Sequence, residues 1–194
     1  MILLSSAVAV GCSSDPRVEA NQAIERANEE ISAHDELFNE ARDLYSESQQ
    51  AISEGGETGS EGAESTSEGT SEGTTSGSPA ESVSEARDRL QEARDRLQAA
   101  REEISGIQDL DTSRELLRYS RTLEDALSAQ IRAEEREIAF YEILAEDPAL
   151  EENRDRAIGI LAEAEDAYAE AENGYREARE IADSNPELIV PEGG

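Results

Sequence analysis

Residues 84–104 read SEARDRLQEARDRLQAAREEI, in which nearly the same seven residues occur three times. Apolar residues that recur every seven positions lie on one face of a helix. Two such rows run side by side through and around this stretch: Val83, Leu90, Leu97 and Ile104, and Ala86, Ala93, Ala100 and Ile107. The stretch therefore predicts a long helix whose apolar face packs against alanine-lined faces of other helices in the same chain.

The first and the last parts of the chain repeat this arrangement of large apolar residues beside alanines. In residues 16–53 the large row is Ile24, Ile31, Phe38, Tyr45 and Ile52, and the companion row is Ala20, Ala27, His34 and Ala41. Near the C-terminus the rows are Leu161, Tyr168 and Tyr175, and Ala157, Ala164, Ala171 and Ala178. Small residues let helices approach closely, so both segments are predicted to be long packed helices.

Helix-start signals divide the chain further. Asp15-Pro16 begins the first helix and Gly55-Gly56 ends it, while Ser78-Pro79-Ala80-Glu81 is a capping box that begins the second. A second box, Thr112-Ser113-Arg114-Glu115, begins a third helix that runs to about Glu146, and Asp147-Pro148 opens a fourth that ends before Pro186. The remaining glycines are placed in the linker and at helix ends.

These signals predict an all-α fold, an elongated antiparallel helical bundle or coiled coil of three to four long helices with a disordered linker. The linker, residues 55–78, is rich in Gly, Ser and Glu and contains no aliphatic residue larger than Ala. The predicted organisation is a signal segment at 1–11, an attachment site and first helix at 12–54, the linker, a three-helix segment at 79–185 and a tail at 186–194. Whether the first helix packs with the other three, and whether copies of the chain associate, is left open by the sequence.

The charge of the chain is strongly negative. There are 47 acidic and 17 basic residues, a formal net charge of −30, and every basic residue is Arg. Nucleic acids and anionic lipid surfaces attract positive patches, so neither is expected as a partner. The composition resembles that of proteins from salt-loving archaea, and an Arg-rich bacterium with a high-GC genome is the alternative.

The N-terminus reads MILLSSAVAVGCSSD, an apolar run from Ile2 to Val10 followed by Gly11 and the single cysteine, Cys12. The run is too short to span a bilayer but has the length of a secretory h-region. Ala9-Val10-Gly11-Cys12 resembles the lipobox of prokaryotic lipoproteins. The resemblance implies lipid attachment at Cys12 and an extracytoplasmic protein anchored to the cell membrane.

Few residues suggest chemistry. His34 is the only histidine, so neither a di-iron pair of Glu-x-x-His motifs nor a Ser-His-Asp triad can be assembled, and we expect no catalytic residue, cofactor or metal. Acidic pairs such as Glu134-Glu135 are interpreted as solvated surface. Tyr168 and Tyr175 are candidates for a ligand groove between helices, against the alternative that they only fill the core.

The sequence thus favours a non-enzymatic, lipid-anchored spacer or protein-docking surface at the cell envelope. The alternative is an envelope lipoprotein that binds a solute or a metal ion in a groove between helices. A cavity lined by Tyr168 and Tyr175 would favour the alternative, and a solid bundle with free acidic faces would favour the spacer.

Overall fold

The structure, a computed structural model, describes residues 15–57 and 78–188. Within these ranges the chain is all-α. Its helices are α1 (Pro16–Glu57), α2 (Pro79–Gly106), α3 (Arg114–Glu146) and α4 (Arg154–Ser184), with short 3-10 turns at Ile107–Asp109 and Pro186–Leu188. At about 1.5 Å per residue, α1 is about 63 Å long and α3 about 50 Å.

The helices form a bundle in which α1 packs along α2, α2 along α3 and α3 along α4. Ion pairs fix the directions, because Arg26 of α1 pairs with Glu103 near the end of α2, whereas Glu40 pairs with Arg89 nearer its start. The same reversal relates α3 and α4, whose ion pairs are Arg118–Glu177, Arg132–Glu170 and Arg136–Glu163. Sequential helices are therefore antiparallel, and α1 joins the bundle, which the sequence had left open.

The alanine rows occupy the centre of the bundle. Ala20, Ala27 and Ala41 of α1 are fully buried, while Phe38 and Tyr45 in the neighbouring large row are only partly buried. In α4 the alanine row is also the buried one, and Leu161 in the large row is 41% exposed. Only α2 buries both of its rows, because it lies between α1 and α3. Because the helix backbones approach closely, the small residues lie inside the bundle and the larger side chains lie at the edges of the contacts between helices.

The capping box at the start of α2 is confirmed. The Ser78 hydroxyl accepts a hydrogen bond from the Glu81 backbone N–H, and the Glu81 carboxylate accepts one from the Ser78 N–H. The predicted box at Thr112 is wrong by one residue, since Ser113 is the N-cap of α3 and its hydroxyl accepts from the Leu116 N–H.

Asp147-Pro148 does not open the fourth helix. The carboxylate of Asp147 accepts hydrogen bonds from the backbone N–H groups of Glu151, Glu152 and Asn153, which stabilises a turn. That turn delays the start of α4 to Arg154. The Asp-Pro pair indicates correctly that one helix ends here. It does not indicate how many residues form the turn before the next helix begins.

Two segment boundaries also differ from the predicted ones. α1 continues through Gly55 and Gly56 to Glu57, so the linker does not begin at 55, because glycine weakens a helix without ending it unless it turns left-handed. Leu188, assigned to the tail, is 8% exposed and packs on the core beside Ile181. Gly159 and Gly174 lie inside α4, not at helix ends. The predicted signal segment at 1–11, Cys12, residues 58–77 and residues 189–194 lie outside the described residues.

Candidate ligand-binding groove

A buried ion pair joins α1 to α3 at the middle of the bundle. His34 is 1% exposed and Glu134 is 0% exposed. The imidazole Nε2 lies 2.7 Å from Glu134 Oε1, and Nδ1 lies 2.9 Å from the exposed carboxylate of Asp35. Gln130 donates from Nε2 to the same Glu134 oxygen at 3.2 Å. His34 is therefore fully buried, with polar partners at both ring nitrogens and the Phe38 ring stacked on it at a centroid distance of 5.5 Å.

The pKa values of both members of this pair are raised. Burial works against the charged form of His34, but its hydrogen bonds and charge contacts with Glu134 and Asp35 outweigh burial and raise the pKa of the imidazole. Burial also raises the pKa of Glu134, although its bond to His34 opposes the rise. Glu134 Oε2 has no hydrogen-bond partner within the described chain, which adds to the cost of the charged carboxylate. Both groups thus favour keeping a proton between the two side chains.

Two tyrosines of α4 reach across to polar residues of α3. The Tyr168 hydroxyl donates to Glu137 Oε2 at 2.7 Å, and the Tyr175 hydroxyl donates to Gln130 Oε1 at 2.6 Å. Tyr141 donates to the other Glu137 oxygen at 3.0 Å. Burial, with the nearby carboxylates, raises the pKa of Tyr168 and Tyr175 far above the ordinary value, so both remain donors. Tyr168 and Tyr175 are seven residues apart on α4, and Gln130 and Glu137 are seven residues apart on α3. Because the two helices are antiparallel, Tyr168 meets Glu137 and Tyr175 meets Gln130.

A groove lies where α1, α3 and α4 meet, and its volume is about 580 Å³. We call it the α1–α3–α4 groove. The residues that give it its chemical character are Phe38, Arg42, Glu137, Tyr168, Glu172 and Tyr175. Most of the surface of its wall is apolar, although polar and charged side chains also line it, as in sites for small molecules. It forms because α1 approaches α4 through long side chains such as the edge-to-face pair Phe38–Tyr168, whose centroids are 6.4 Å apart.

Charge in the groove is unevenly distributed. Glu137, Glu165 and Glu172 line it, against one basic residue, Arg42. The Arg42 guanidinium carbon lies 5.5 Å from the centroid of the Phe38 ring, over its face. Neither Glu165 nor Glu172 has a hydrogen-bond or ion-pair partner among residues 15–57 and 78–188. The groove therefore combines aromatic faces with two unpaired carboxylates.

The structure places some of the site residues predicted from the sequence in the groove and others elsewhere. Tyr168 and Tyr175 both line the α1–α3–α4 groove, and ligand binding there stays a prediction. Glu134 was wrongly interpreted as solvated surface, because it is buried against His34, whereas Glu135 is exposed. Sequence reasoning also missed Gln130 and Glu137. Lipidation of Cys12 lies outside the described residues and remains an expectation.

The part of the chain that the structure describes contains no cluster of three or more His, Cys, Asp or Glu side chains arranged to hold a metal ion. None of its helices is both long and apolar enough to cross a membrane. No protein-family model matches the chain, and no curated protein or solved structure matches it.

Proposed function

We propose that this protein is a lipid-anchored, extracytoplasmic helical bundle that binds a small solute in the α1–α3–α4 groove and catalyses no reaction. The observation that carries the proposal is the groove itself, whose volume of about 580 Å³ lies within the range of small-molecule sites. Of the two functions that the sequence suggests, the groove favours solute binding over the spacer.

The polar network behind the groove supports this role. Tyr168 and Tyr175 each donate a short, partly buried hydrogen bond to α3, which holds each hydroxyl, and with it the position of each ring, against α3. Rings positioned in this way lose less conformational entropy when a ligand binds.

The anchor is the second part of the proposal, and it rests on the resemblance of residues 9–12 to a lipobox. A lipid on Cys12 would hold the bundle at the outer face of the membrane. The seven-residue rows of α1 and α2 would then pack as a coiled coil, stiffening the end of the bundle closest to the anchor.

The spacer or docking role is the alternative, and the length of α1, about 63 Å at about 1.5 Å per residue, favours it. A rod of this length, with acidic outer faces, would hold a partner protein away from the bilayer. The two roles can be distinguished by measurement, because only the solute-binding role requires a small molecule in the groove.

Mass spectrometry of the full chain extracted from its native membranes tests both parts. Under denaturing conditions we expect a lipid-sized mass increment on the peptide that contains Cys12, and none in Cys12→Ser. Under native conditions we expect a second, small increment that dissociates on activation. An unmodified thiol in the native protein would disprove the anchor.

Two matched variants locate the solute. Leu161 lines the groove and Ile158, one turn earlier on α4, does not; both are exposed, at 41% and 56%. Leu161→Trp should fill the groove and abolish the solute increment, while Ile158→Trp should leave it unchanged. If the native protein carries no small molecule, or if Leu161→Trp retains it, the groove is not the binding site and the spacer role is favoured.

A further inference from the structure

We infer that the solute is a small organic cation with an apolar body, of the quaternary ammonium or protonated amine class. This inference rests on the proposed function and names its ligand class. It follows from three properties of the α1–α3–α4 groove: its net charge, the aromatic residues that line it, and the apolar surface between its charged groups.

The charge of the groove selects against anions. With three carboxylates against one guanidinium, the lining carries a net charge of 1 − 3 = −2 when all four groups are ionised. Two of the carboxylates, Glu165 and Glu172, are unpaired within the described residues, so no neighbouring Arg neutralises them. Both residues are exposed, so a ligand cation at the mouth of the groove would supply a counter-charge that no Arg supplies, whereas an anion there would be repelled.

The aromatic faces are suited to a cation, and one of them already holds one. Arg42 lies over Phe38, with its guanidinium carbon 5.5 Å from the ring centroid, inside the distance of a cation–π contact. Tyr168 packs edge-on against the same ring, and Tyr175 lines the groove beside it along α4. Arg42 thus occupies an aromatic face that a ligand cation would also favour, so it should compete with the ligand.

The apolar surface between the charged groups favours an organic cation over a hydrated metal ion. Leu161, Ala164 and Ala171 supply apolar wall between the carboxylates. A small inorganic cation would have to keep its water shell against this wall, since it requires several converging oxygen ligands to replace it. An organic cation buries its methyl or ring carbons there and gains from the hydrophobic effect as well.

Calorimetric titration of the purified full chain tests the inference, with benzyltrimethylammonium as the probe. Benzyl alcohol is the neutral comparison, phenylacetate the anionic one, and KCl is held at about 0.05 M so that attraction is not screened. We expect the cation to bind at one site per chain, and at least about tenfold more tightly than either comparison. Equal binding of benzyl alcohol or phenylacetate would overturn the inference.

Variants in the groove should change affinity in opposite directions. Removing both unpaired charges in the double variant Glu165→Gln/Glu172→Gln should weaken binding about fivefold or more. Arg42→Gln should strengthen it about two- to fivefold, because a competing cation and its repulsion are lost. The control double variant Glu85→Gln/Glu180→Gln makes the same change in net charge on exposed positions outside the groove.

The control separates a built site from general attraction by a chain of net charge −30. Equal weakening in both double variants would contradict the inference, as would weaker binding in Arg42→Gln. Failure of the inference can be distinguished from failure of the proposed function. A neutral or anionic solute in the native protein, lost in Leu161→Trp, would leave solute binding intact and disprove only its cationic class.

Discussion

Gly174 lies at a close approach of α3 and α4. A β-carbon built at this position would lie 2.8 Å from the Ala126 β-carbon and 3.1 Å from its α-carbon, so part of the obstacle is backbone. Alanine favours a helix over glycine by up to about 1 kcal/mol, but overpacking costs about 1–3 kcal/mol. We therefore expect Gly174→Ala to destabilise the bundle by about 1–2 kcal/mol, measured by chemical denaturation.

Gly159 is the matched control, because it lies in the same helix and a β-carbon there would meet nothing within 4 Å. Gly159→Ala should stabilise the protein by about 0.5–1 kcal/mol through helix propensity alone. The double variant Ala126→Gly/Gly174→Ala should recover part of the lost stability, because removing the Ala126 methyl group makes room for the new β-carbon at position 174. If Gly174→Ala were as stabilising as Gly159→Ala, the close contact between the two helices would be refuted.

The buried pair of His34 and Glu134 gives stability a defined dependence on pH. The folded-state pKa of His34 is raised, so its contribution is complete below the ordinary value of 6.5 and is lost as pH rises through the raised value. The pKa of Glu134 is raised as well, which acts in the same direction. The free energy of unfolding should therefore fall as pH rises above 6.5, by up to about 1.4 kcal/mol per pH unit for one extra proton held in the folded state.

Glu134→Gln tests this, since the amide keeps the shape of the carboxyl group and leaves no unpaired charge beside the ring. Without Glu134, burial should lower the pKa of His34, and the downward slope above pH 6.5 should largely disappear. Because His34 is the only histidine, its ring proton NMR signal reports the titration directly. Asp35→Asn is the control and should lower the pKa less, because the Asp35 side chain is 66% exposed. A His34 titration unchanged in Glu134→Gln would rule out the shared proton.

At the scale of elements, α2 is the helix on which the other packing depends. Leu90 is 1% exposed and Leu97 is 0% exposed, each in one of the two halves of the core. An aspartate at either position would be a buried, unpaired charge that costs several kcal/mol. That cost is a large part of the free energy of unfolding of a typical domain, which is about 5–15 kcal/mol. We expect Leu90→Asp/Leu97→Asp to lose most of its helical circular dichroism.

Ile158→Asp makes the same kind of change at an exposed position of α4, where the side chain is 56% exposed. It should alter stability by no more than about 0.5 kcal/mol. Unchanged circular dichroism in the double variant would mean that the large row of α2 is not buried.

The seven-residue rows explain how much of the fold the sequence predicts. They correctly place the alanine rows of α1 and α4 and both rows of α2 in the core, whereas the large rows of α1 and α4 are only partly buried. In α3 the buried row is Ser120, Leu127, Glu134 and Tyr141, so Glu134 occupies a core position while its residue type suggests surface. The same spacing puts His34 inside the alanine row of α1. Matching His34 with Glu134, the one carboxylate in the α3 row, would have found the pair.

The groove could be predicted only in part. The seven-residue spacing of Tyr168 and Tyr175 singles out the correct face of α4. Their partners Gln130 and Glu137 share that spacing but fall among many polar residues of α3, and only the antiparallel register shows which ones they meet. Arg42 and Phe38 depend on how α1 docks, which no local pattern specifies.

At the scale of the whole molecule, charge opposes folding. Arg–Glu pairs join α1 to α2 and α3 to α4, but their side chains are substantially exposed. Exposed pairs of this kind contribute at most about 1 kcal/mol each. They cannot offset the repulsion within a chain of net charge −30, whose acidic residues are drawn together when the four helices pack.

Added KCl should therefore stabilise the protein. The Debye length falls from about 10 Å at 0.1 M to about 3 Å at 1 M, which screens repulsion between helices more than it weakens the few contacts at ion-pair distance. We expect helicity to increase and Tm to rise by about 5 °C over this range, equivalent to about 1–3 kcal/mol for a chain of this size. Circular dichroism melts at increasing KCl measure both quantities.

A variant with fewer exposed carboxylates separates screening from general salt effects. Changing Glu47, Glu85, Asp183 and Glu180 to their amides removes four negative charges from exposed positions that form no ion pair within the described residues. Tm at low salt should rise, and its dependence on KCl should become shallower, because there is less repulsion left to screen. A Tm that does not respond to KCl in the native chain, or that responds equally in both proteins, would show that repulsion between the acidic helices does not limit stability.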